Sequence, residues 1–267
     1  MKKELDYISI NKDSWNRRTE LHVDSEFYAT QAFIDGKSSL NSIELELLGN
    51  LKGKSVLHLQ CHFGQDSISL ARLGATVTAV DLSDVAIDKG RELAEKTNQE
   101  VTFVCSDIYE LPNHLEEKFD LVFTSYGTIG WLPDMNKWAG VVAHFLKPGG
   151  TFVFVEFHPV VWMFDDDFTK IGYNYFNDGP IAETSEGTYA EKDAKESFEH
   201  VSWNHSMSEV FNSLISSDLT IGKLKEYNYS PYDCFNQTLE YEPGKFRIKH
   251  LDDKIPMVYS LLATKGH

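Results

Sequence analysis

A short turn and one carboxylate are the first places where this chain shows chemistry. Gln60-Cys61-His62-Phe63-Gly64 joins an apolar run (Val56, Leu57, Leu59) to a helical stretch from Asp66 to Arg72. A second apolar run, Thr76 to Val80, then ends in Asp81, seventeen residues after Gly64. A carboxylate at the tip of the second strand is where nucleotide-binding α/β folds hold a ribose diol. A dinucleotide pyrophosphate needs glycines where its oxygens approach the helix start. The equivalent positions here are Gln60, His62 and Gln65, and only Gly64 lies in the turn. The bulky side chains crowd a pyrophosphate, and no lysine follows for a phosphate loop. The expected ligand is therefore a nucleoside without phosphates.

The elements that must position these residues alternate strand and helix. Strands are expected at 55–59, 76–80, 101–105, 119–124 and 151–157, and helices at 66–73, 84–96 and 136–146. Ala86, Gly90, Leu93 and Ala94 share one helical face, as do Trp138, Val141, Val142 and Phe145. Lys147-Pro148-Gly149-Gly150 is a strong helix terminator. Such alternation implies an α/β fold, a Rossmann-like parallel sheet with helices on both faces. Ligands of such sheets bind outside the carboxyl ends of the strands. The turn at 60–64, Asp81, Asp107 and Ser125-Tyr126 all fall at those ends.

The flanking regions read differently. Residues 1–54 are polar and mostly helical, with Leu40, Ile43, Leu47, Leu48 and Leu51 at helical spacing and Ser39 as the expected N-cap. The stretch 158–206 is rich in aromatics, and between 160 and 200 it holds ten acids against three lysines. It reads as an insertion after the fifth strand, a substrate lid, since long excursions from a compact domain are commonly functional. A helix near 207–216 and strands near 219–228 and 256–264 return to the core pattern, around an irregular excursion at 229–255. The whole is expected to be a single domain: helical cap 1–54, cofactor-binding core 55–157, insertion 158–206, and helix and strands 207–267.

Composition narrows the partners. The formal net charge is −16, which repels the phosphates of nucleic acid. Cys61, Cys105 and Cys234 are odd in number and far apart, which suits a reducing, cytoplasmic compartment. No apolar run approaches the ~18 residues of a membrane span. The expected partner is a small molecule.

Against this background Val56-Leu57-His58-Leu59-Gln60-Cys61-His62-Phe63-Gly64 resembles the first motif of the class I S-adenosylmethionine-dependent methyltransferases. Asp81 matches their ribose-binding acid, and Ser106-Asp107-Ile108 the loop that contacts adenine. Phe119-Asp120-Leu121-Val122 matches the fourth-strand motif, and Leu146-Lys147-Pro148-Gly149-Gly150 the turn before the fifth strand. Five motifs in the correct order make the resemblance specific over 55–157. It implies S-adenosylmethionine as cofactor and a seven-stranded, mostly parallel sheet whose last strand is antiparallel. It implies cofactor contacts from Gln60, Cys61, Gly64, Asp81, Leu82, Ser83, Ser106, Asp107, Ile108, Ser125 and Tyr126. The family's usual acid at 58 and glycines at 60 and 62 are here His58, Gln60 and His62. Ser14-Trp15-Asn16-Arg17 resembles a subgroup of these enzymes; such a segment folds over the cofactor, with Arg17 expected near its carboxylate.

Each assignment has a plainer rival. Asp81 could cap the helix at 84–96, although Ser83 can do that equally well. Asp107 could be a turn residue. His58, Cys61 and His62 do not match metal-ligand spacing, so no metal is expected. Tyr126 and Trp131 could flank a sulfonium methyl through their π faces or be core. His158, with Glu156 beside it, is the candidate general base if the acceptor must lose a proton. Thr124-Ser125-Tyr126-Gly127 lacks the Asn/Asp-Pro-Pro-aromatic pattern of enzymes that methylate nucleobase amines. The expected activity is in-line methyl transfer to a small-molecule acceptor. The alternatives are a non-catalytic module binding S-adenosylmethionine or its demethylated product, and a nicotinamide oxidoreductase.

Overall fold

In chain order the computed structural model, which describes residues 6–266, has α1 (Tyr7–Val23), α2 (Thr30–Ile34), α3 (Ser42–Leu48), β1 (Ser55–Leu59), α4 (Gln65–Arg72), β2 (Thr76–Asp81), α5 (Asp84–Lys96) and β3 (Val101–Cys105). There follow β4 (Phe119–Ser125), α6 (Met135–Phe145), β5 (Leu146–Phe157), β6 (Ile181–Glu186), β7 (Ser197–Ser202), α7 (Met207–Ser216), β8 (Leu219–Tyr227), β9 (Thr238–Glu242), β10 (Lys245–Ile248) and β11 (Val258–Lys265). Seven strands make one sheet, ordered β3-β2-β1-β4-β5-β11-β8. β1, β2 and β3 are parallel, as are β4 and β5, whereas β11 is antiparallel to both β5 and β8. The expected Rossmann-like sheet with an antiparallel last strand is therefore present.

The chain divides into two units. The first holds the residues up to Ser39, Leu51–Glu117 and Pro180–Ser202; the second holds Leu40–Asn50, Lys118–Gly179 and the chain from Trp203 on. In the first, α4 and α5 bury Ile68, Ile87, Leu93 and Ala94 against Ala79 and Phe103 of the strands. The Phe103 ring sets two glycines at once. A Cβ on Gly64 or on Gly90 would lie 2.6 Å from its Cε1, so neither position accepts a side chain. Gly64 also stands at φ 77°, which disfavours any L side chain. The hairpin β6–β7 is antiparallel and lies on α1, where Asn11 exchanges two 2.8 Å hydrogen bonds with the backbone of Val201.

In the second unit, Val155, Phe157, Tyr227, Ile248, Met257 and Val258 form a buried cluster that takes in Ile43 of α3. Trp138 of α6 packs edge-on to Phe152 and at a tilt to Phe154 of β5. α3 starts later than its leucine spacing suggests. Its N-cap is Asn41, not Ser39, because Glu44 completes a capping box there. The Ser39 hydroxyl instead pairs with that of Ser69. Lys147-Pro148-Gly149-Gly150 ends α6 as expected but forms the irregular start of β5, with a register shift between Phe119 and Leu121. Both excursions contain hairpins, β6–β7 and β9–β10, whose short exposed strands carry little apolar alternation.

Candidate functional site

The turn after β1 has the backbone of a glycine-rich loop without the glycines. Gln60 and His62 stand at φ 55° and 50°, beside Gly64 at 77°. A left-handed residue with a Cβ costs about 1–2 kcal/mol, so other bonds must hold the turn. The Cys61 N–H donates to the Val80 carbonyl at 2.9 Å, and the Gly64 N–H to the Cys61 carbonyl at 2.9 Å. The His62 N–H donates to Asp81 Oδ2 at 2.8 Å. Asp81 Oδ1 accepts from the Ser83 N–H at 2.9 Å. Burial pushes the Asp81 carboxyl up, and the amides of Ser83, His62 and Leu82 pull it back. Asp81 stays half-buried, with part of its accepting capacity unused.

Neighbouring residues build out from that carboxylate. Ser83 is the N-cap of α5, accepting from the Ala86 N–H, so the capping role is filled without Asp81. The Ser106 N–H donates to the Asp81 carbonyl at 2.9 Å and its hydroxyl to the Asp107 carbonyl at 2.8 Å. Asp107 Oδ1 accepts from the Tyr109 N–H at 2.6 Å, holding the loop after β3. Ile108 is buried, and Leu82 is half-buried with its carbonyl accepting from the Cys105 thiol. Cys61 is buried in the core cluster, its thiol pushed up by burial and donating to the His62 carbonyl at 3.3 Å.

α1 crosses this region. Asn16 Nδ2 donates to Asp84 Oδ1 at 3.1 Å and Asn16 Oδ1 accepts from the Ser83 hydroxyl at 2.6 Å. Lys12 pairs with Asp84 at 3.0 Å. His22 Nδ1 lies 3.0 Å from His62 Nε2, within a cluster of Trp15, Tyr28 and Tyr189. Burial drives both rings toward the neutral form, His22 to about 2 and His62 to about 3. Tyr7 is pushed to about 12 by burial and by the charge of Asp107. Arg17 and Arg18 stack over Phe198 of β7 at 4.9 and 4.7 Å.

The second unit holds the remaining predicted residues. β4 ends at Ser125, and Tyr126 follows at φ 49°. Its N–H donates to the Val155 carbonyl at 2.7 Å and its hydroxyl to Glu44 Oε2 at 3.0 Å. The loop beyond is held by Glu156, 2% exposed. Glu156 accepts from the amides of Gly127, Thr128, Ile129 and Phe157 and from the Thr128 hydroxyl. Burial raises its carboxyl, and those amides oppose the rise. Trp131 Nε1 donates to the Gly127 carbonyl at 2.8 Å, bracing the same loop. The His158 ring accepts from the Val160 N–H at Nδ1, 3.2 Å, and faces Glu226 through Nε2 at 3.0 Å. Burial lowers this imidazole and the Glu226 charge opposes that.

Residues 56–150 match the family model described as "Methyltransferase domain". That match covers the strands and helices from β1 to the start of β5, about a third of the 267 residues. A "Ubiquinone biosynthesis O-methyltransferase" of Coxiella burnetii is 36% identical over 104 residues, 39% of this chain and 44% of that protein. "Phosphoethanolamine N-methyltransferase 1" of Triticum aestivum is 28% identical over 53% of this chain and 29% of its own length. The chain thus spans under half the length of these curated relatives. A solved S-adenosylmethionine-dependent methyltransferase from Listeria monocytogenes, described as putative, superposes with a TM-score of 0.58 at 20% identity, over 83% of this chain and 95% of that one.

Within the matched region the structure gathers Gln60, Cys61, Gly64, Asp81, Leu82, Ser83, Ser106, Asp107 and Ile108 at the carboxyl ends of β1, β2 and β3. Asn16, from the expected N-terminal segment, joins that cluster, and His22, Tyr28 and Tyr189 join it without having been expected. The Ser14-Trp15-Asn16-Arg17 segment pointed to the right helix, but its link to the turn runs through Trp15 and Asn16, while Arg17 stacks on Phe198. Among the described residues no group of three or more His, Cys, Asp or Glu side chains is arranged to hold a metal, and no helix is long and apolar enough to cross a membrane.

Proposed function

We propose that this protein is an S-adenosylmethionine-dependent methyltransferase acting on a small-molecule acceptor by in-line transfer. The observation that carries the reading is the half-used carboxylate of Asp81. Two backbone amides fix its orientation, and its remaining lone pairs suit the two hydroxyls of a ribose. The donor set fits the cofactor elsewhere too. Asp107 Oδ1 is committed to its own turn, leaving Oδ2 for the exocyclic amine of adenine. The left-handed turn offers the backbone of Gln60, Cys61 and Gly64 to the amino-acid end, while the Gln60 and His62 side chains keep a pyrophosphate away.

When bound, S-adenosylmethionine supplies a methyl carbon activated by a sulfonium. The chain's own contribution is to hold and orient. Fixing the nucleophile and the methyl carbon in line, out of water, is worth up to about 7–11 kcal/mol. Glu156 and His158, whose polar atoms are already engaged by protein groups, are left out of the proton path. The acidic charge and the aromatic segment 158–206 support a small acceptor, as do the names of the O- and N-methyltransferase relatives.

Equilibrium dialysis with methyl-labelled S-adenosylmethionine, competed by nicotinamide nucleotides, tests the cofactor. Retention of the label without competition is expected, and retention of the nicotinamide nucleotide in its place overturns the reading. Label transfer to a panel of phenols, alcohols and amines then tests the activity. Tight binding without transfer to any of them would favour the binding module.

A further inference from the structure

We propose that α1 is part of the cofactor site, with Asn16 and His22 as positioning residues that set the ribose-binding carboxylate of Asp81 from a distance. The inference rests on the proposed function; it goes beyond the resemblance of the Ser14-Trp15-Asn16-Arg17 segment by giving Asn16 and His22 a specific role at Asp81.

The geometry is a two-armed clamp. Asp81 Oδ1 accepts from the Ser83 amide and Oδ2 from the His62 amide. Both residues are in turn tied to α1 by their side chains. The Ser83 hydroxyl donates to Asn16 Oδ1 at 2.6 Å. The His62 ring meets the His22 ring at 3.0 Å. Neither Asn16 nor His22 touches Asp81 directly; each acts through one intermediate residue.

Independent features fix α1 so that the clamp has a firm base. Lys12 and Asn16 both bind Asp84, the first residue of α5. Asn11 exchanges two bonds with Val201, and Arg18 donates to the Ser185 hydroxyl at 3.0 Å. His22 is 0% exposed and its ring sits against Tyr28 and Tyr189. Its Nε2 and the Nδ1 of His62 are buried without a hydrogen-bond partner. Leaving such atoms unpaired costs stability. Two imidazoles kept facing each other at that cost are better explained by what their contact does for the turn than by packing, which two apolar rings would serve as well. The clamp also supplies what the glycine-poor turn lacks, since His62 holds a left-handed conformation at φ 50°.

The test uses the full chain and S-adenosylhomocysteine in titration calorimetry. Asn16→Leu and His22→Phe, both expected to fold, should each weaken binding about 3- to 10-fold, the effect of one lost net hydrogen bond. In an Asp81→Asn background the same substitutions should change affinity less than about twofold, because the group they orient is altered. A ligand-free readout accompanies this. Amide exchange should rise at Ser83 in Asn16→Leu and at His62 in His22→Phe, and not the reverse. Equal losses of affinity with and without Asp81, or unchanged exchange at both amides, overturn the clamp. If the unaltered protein does not bind S-adenosylhomocysteine, the proposed cofactor falls and this role with it. Binding that ignores both substitutions removes the clamp alone.

Discussion

Two carboxylates follow the same rule to opposite ends. Asp81 closes β2 in the first unit, and Glu156 lies in β5 of the second. Burial raises both, and backbone amides pull both back. Each is paired with left-handed residues: Gln60, His62 and Gly64 for one, Tyr126 and Gly127 for the other. They differ in how full they are. A carboxylate offers about four lone-pair sites. Glu156 receives five donors and is spent on structure. Asp81 is gripped by the amides of His62 and Ser83 with capacity to spare. A saturated buried acid organises a loop, whereas an unsaturated one presents a binding edge.

Acid should separate the units most. His22, His58 and His62 all lie in the first, held neutral by burial at about 2, 3 and 3. A folded-state pKa below the unfolded 6.5 stabilises above 6.5 and loses that stability as pH falls. Each such imidazole contributes a slope of about 1.4 kcal/mol per pH unit. The second unit holds fewer such imidazoles, His144 and His158, both lowered by burial, while the raised carboxyls of Asp81 and Glu156 act with the same sign in each unit, favouring the fold as pH falls through the carboxylate range. Between pH 7 and 5, β2 amides should lose exchange protection by up to about 6 kcal/mol, three imidazoles each losing about 1.4 kcal/mol per pH unit below 6.5, and β5 amides less. Equal losses in the two strands would erase the contrast.

Emptying the saturated site is the next largest effect. Glu156→Ala strands buried amides at 127–129 and should cost about 3–4 kcal/mol in chemical denaturation. Asp81→Ala should cost less than half of that in stability, yet weaken S-adenosylhomocysteine binding about 100-fold, since charged hydrogen bonds are worth about 1.5–3 kcal/mol each. A stability loss at Asp81 as large as at Glu156, with affinity intact, would make both carboxylates structural.

How far the sequence reveals this contrast depends on the reach of each interaction. The bounds of β1, α5, β3 and α7 can be read from apolar period and flanking Gly, Asn or Ser, because local pattern decides them. Asp81 is legible because a strand end fixes it. The Ser14-Trp15-Asn16-Arg17 segment marks the right helix, but the roles of Asn16 and His22 are not legible, since their partners lie 67 and 40 residues away. Glu156 reads as a candidate base because sequence shows a charge but not how many amides will surround it. Likewise, Gln60 and His62 show no sign of left-handed backbone. Tertiary bonds to Asp81 and Val80 impose it against local preference.

That last point can be measured with the smallest change. Gln60 and His62 share one backbone conformation, at φ 55° and 50°, but only His62 is held there by both its amide and its ring. Glycine relieves about 1–2 kcal/mol of left-handed cost and forfeits about 0.5–1 kcal/mol of unfolded-state entropy. Gln60→Gly should therefore be neutral to about 1 kcal/mol stabilising, with S-adenosylhomocysteine affinity changed less than about tenfold, because the turn meets its ligand through backbone. His62→Gly gains the same relief but loses the His22 contact, so it should fall about 1 kcal/mol below Gln60→Gly. Denaturation midpoints of the two variants measured side by side decide the matter. If Gln60→Gly were the more damaging of the two, the Gln60 side chain rather than its backbone would be what the turn depends on.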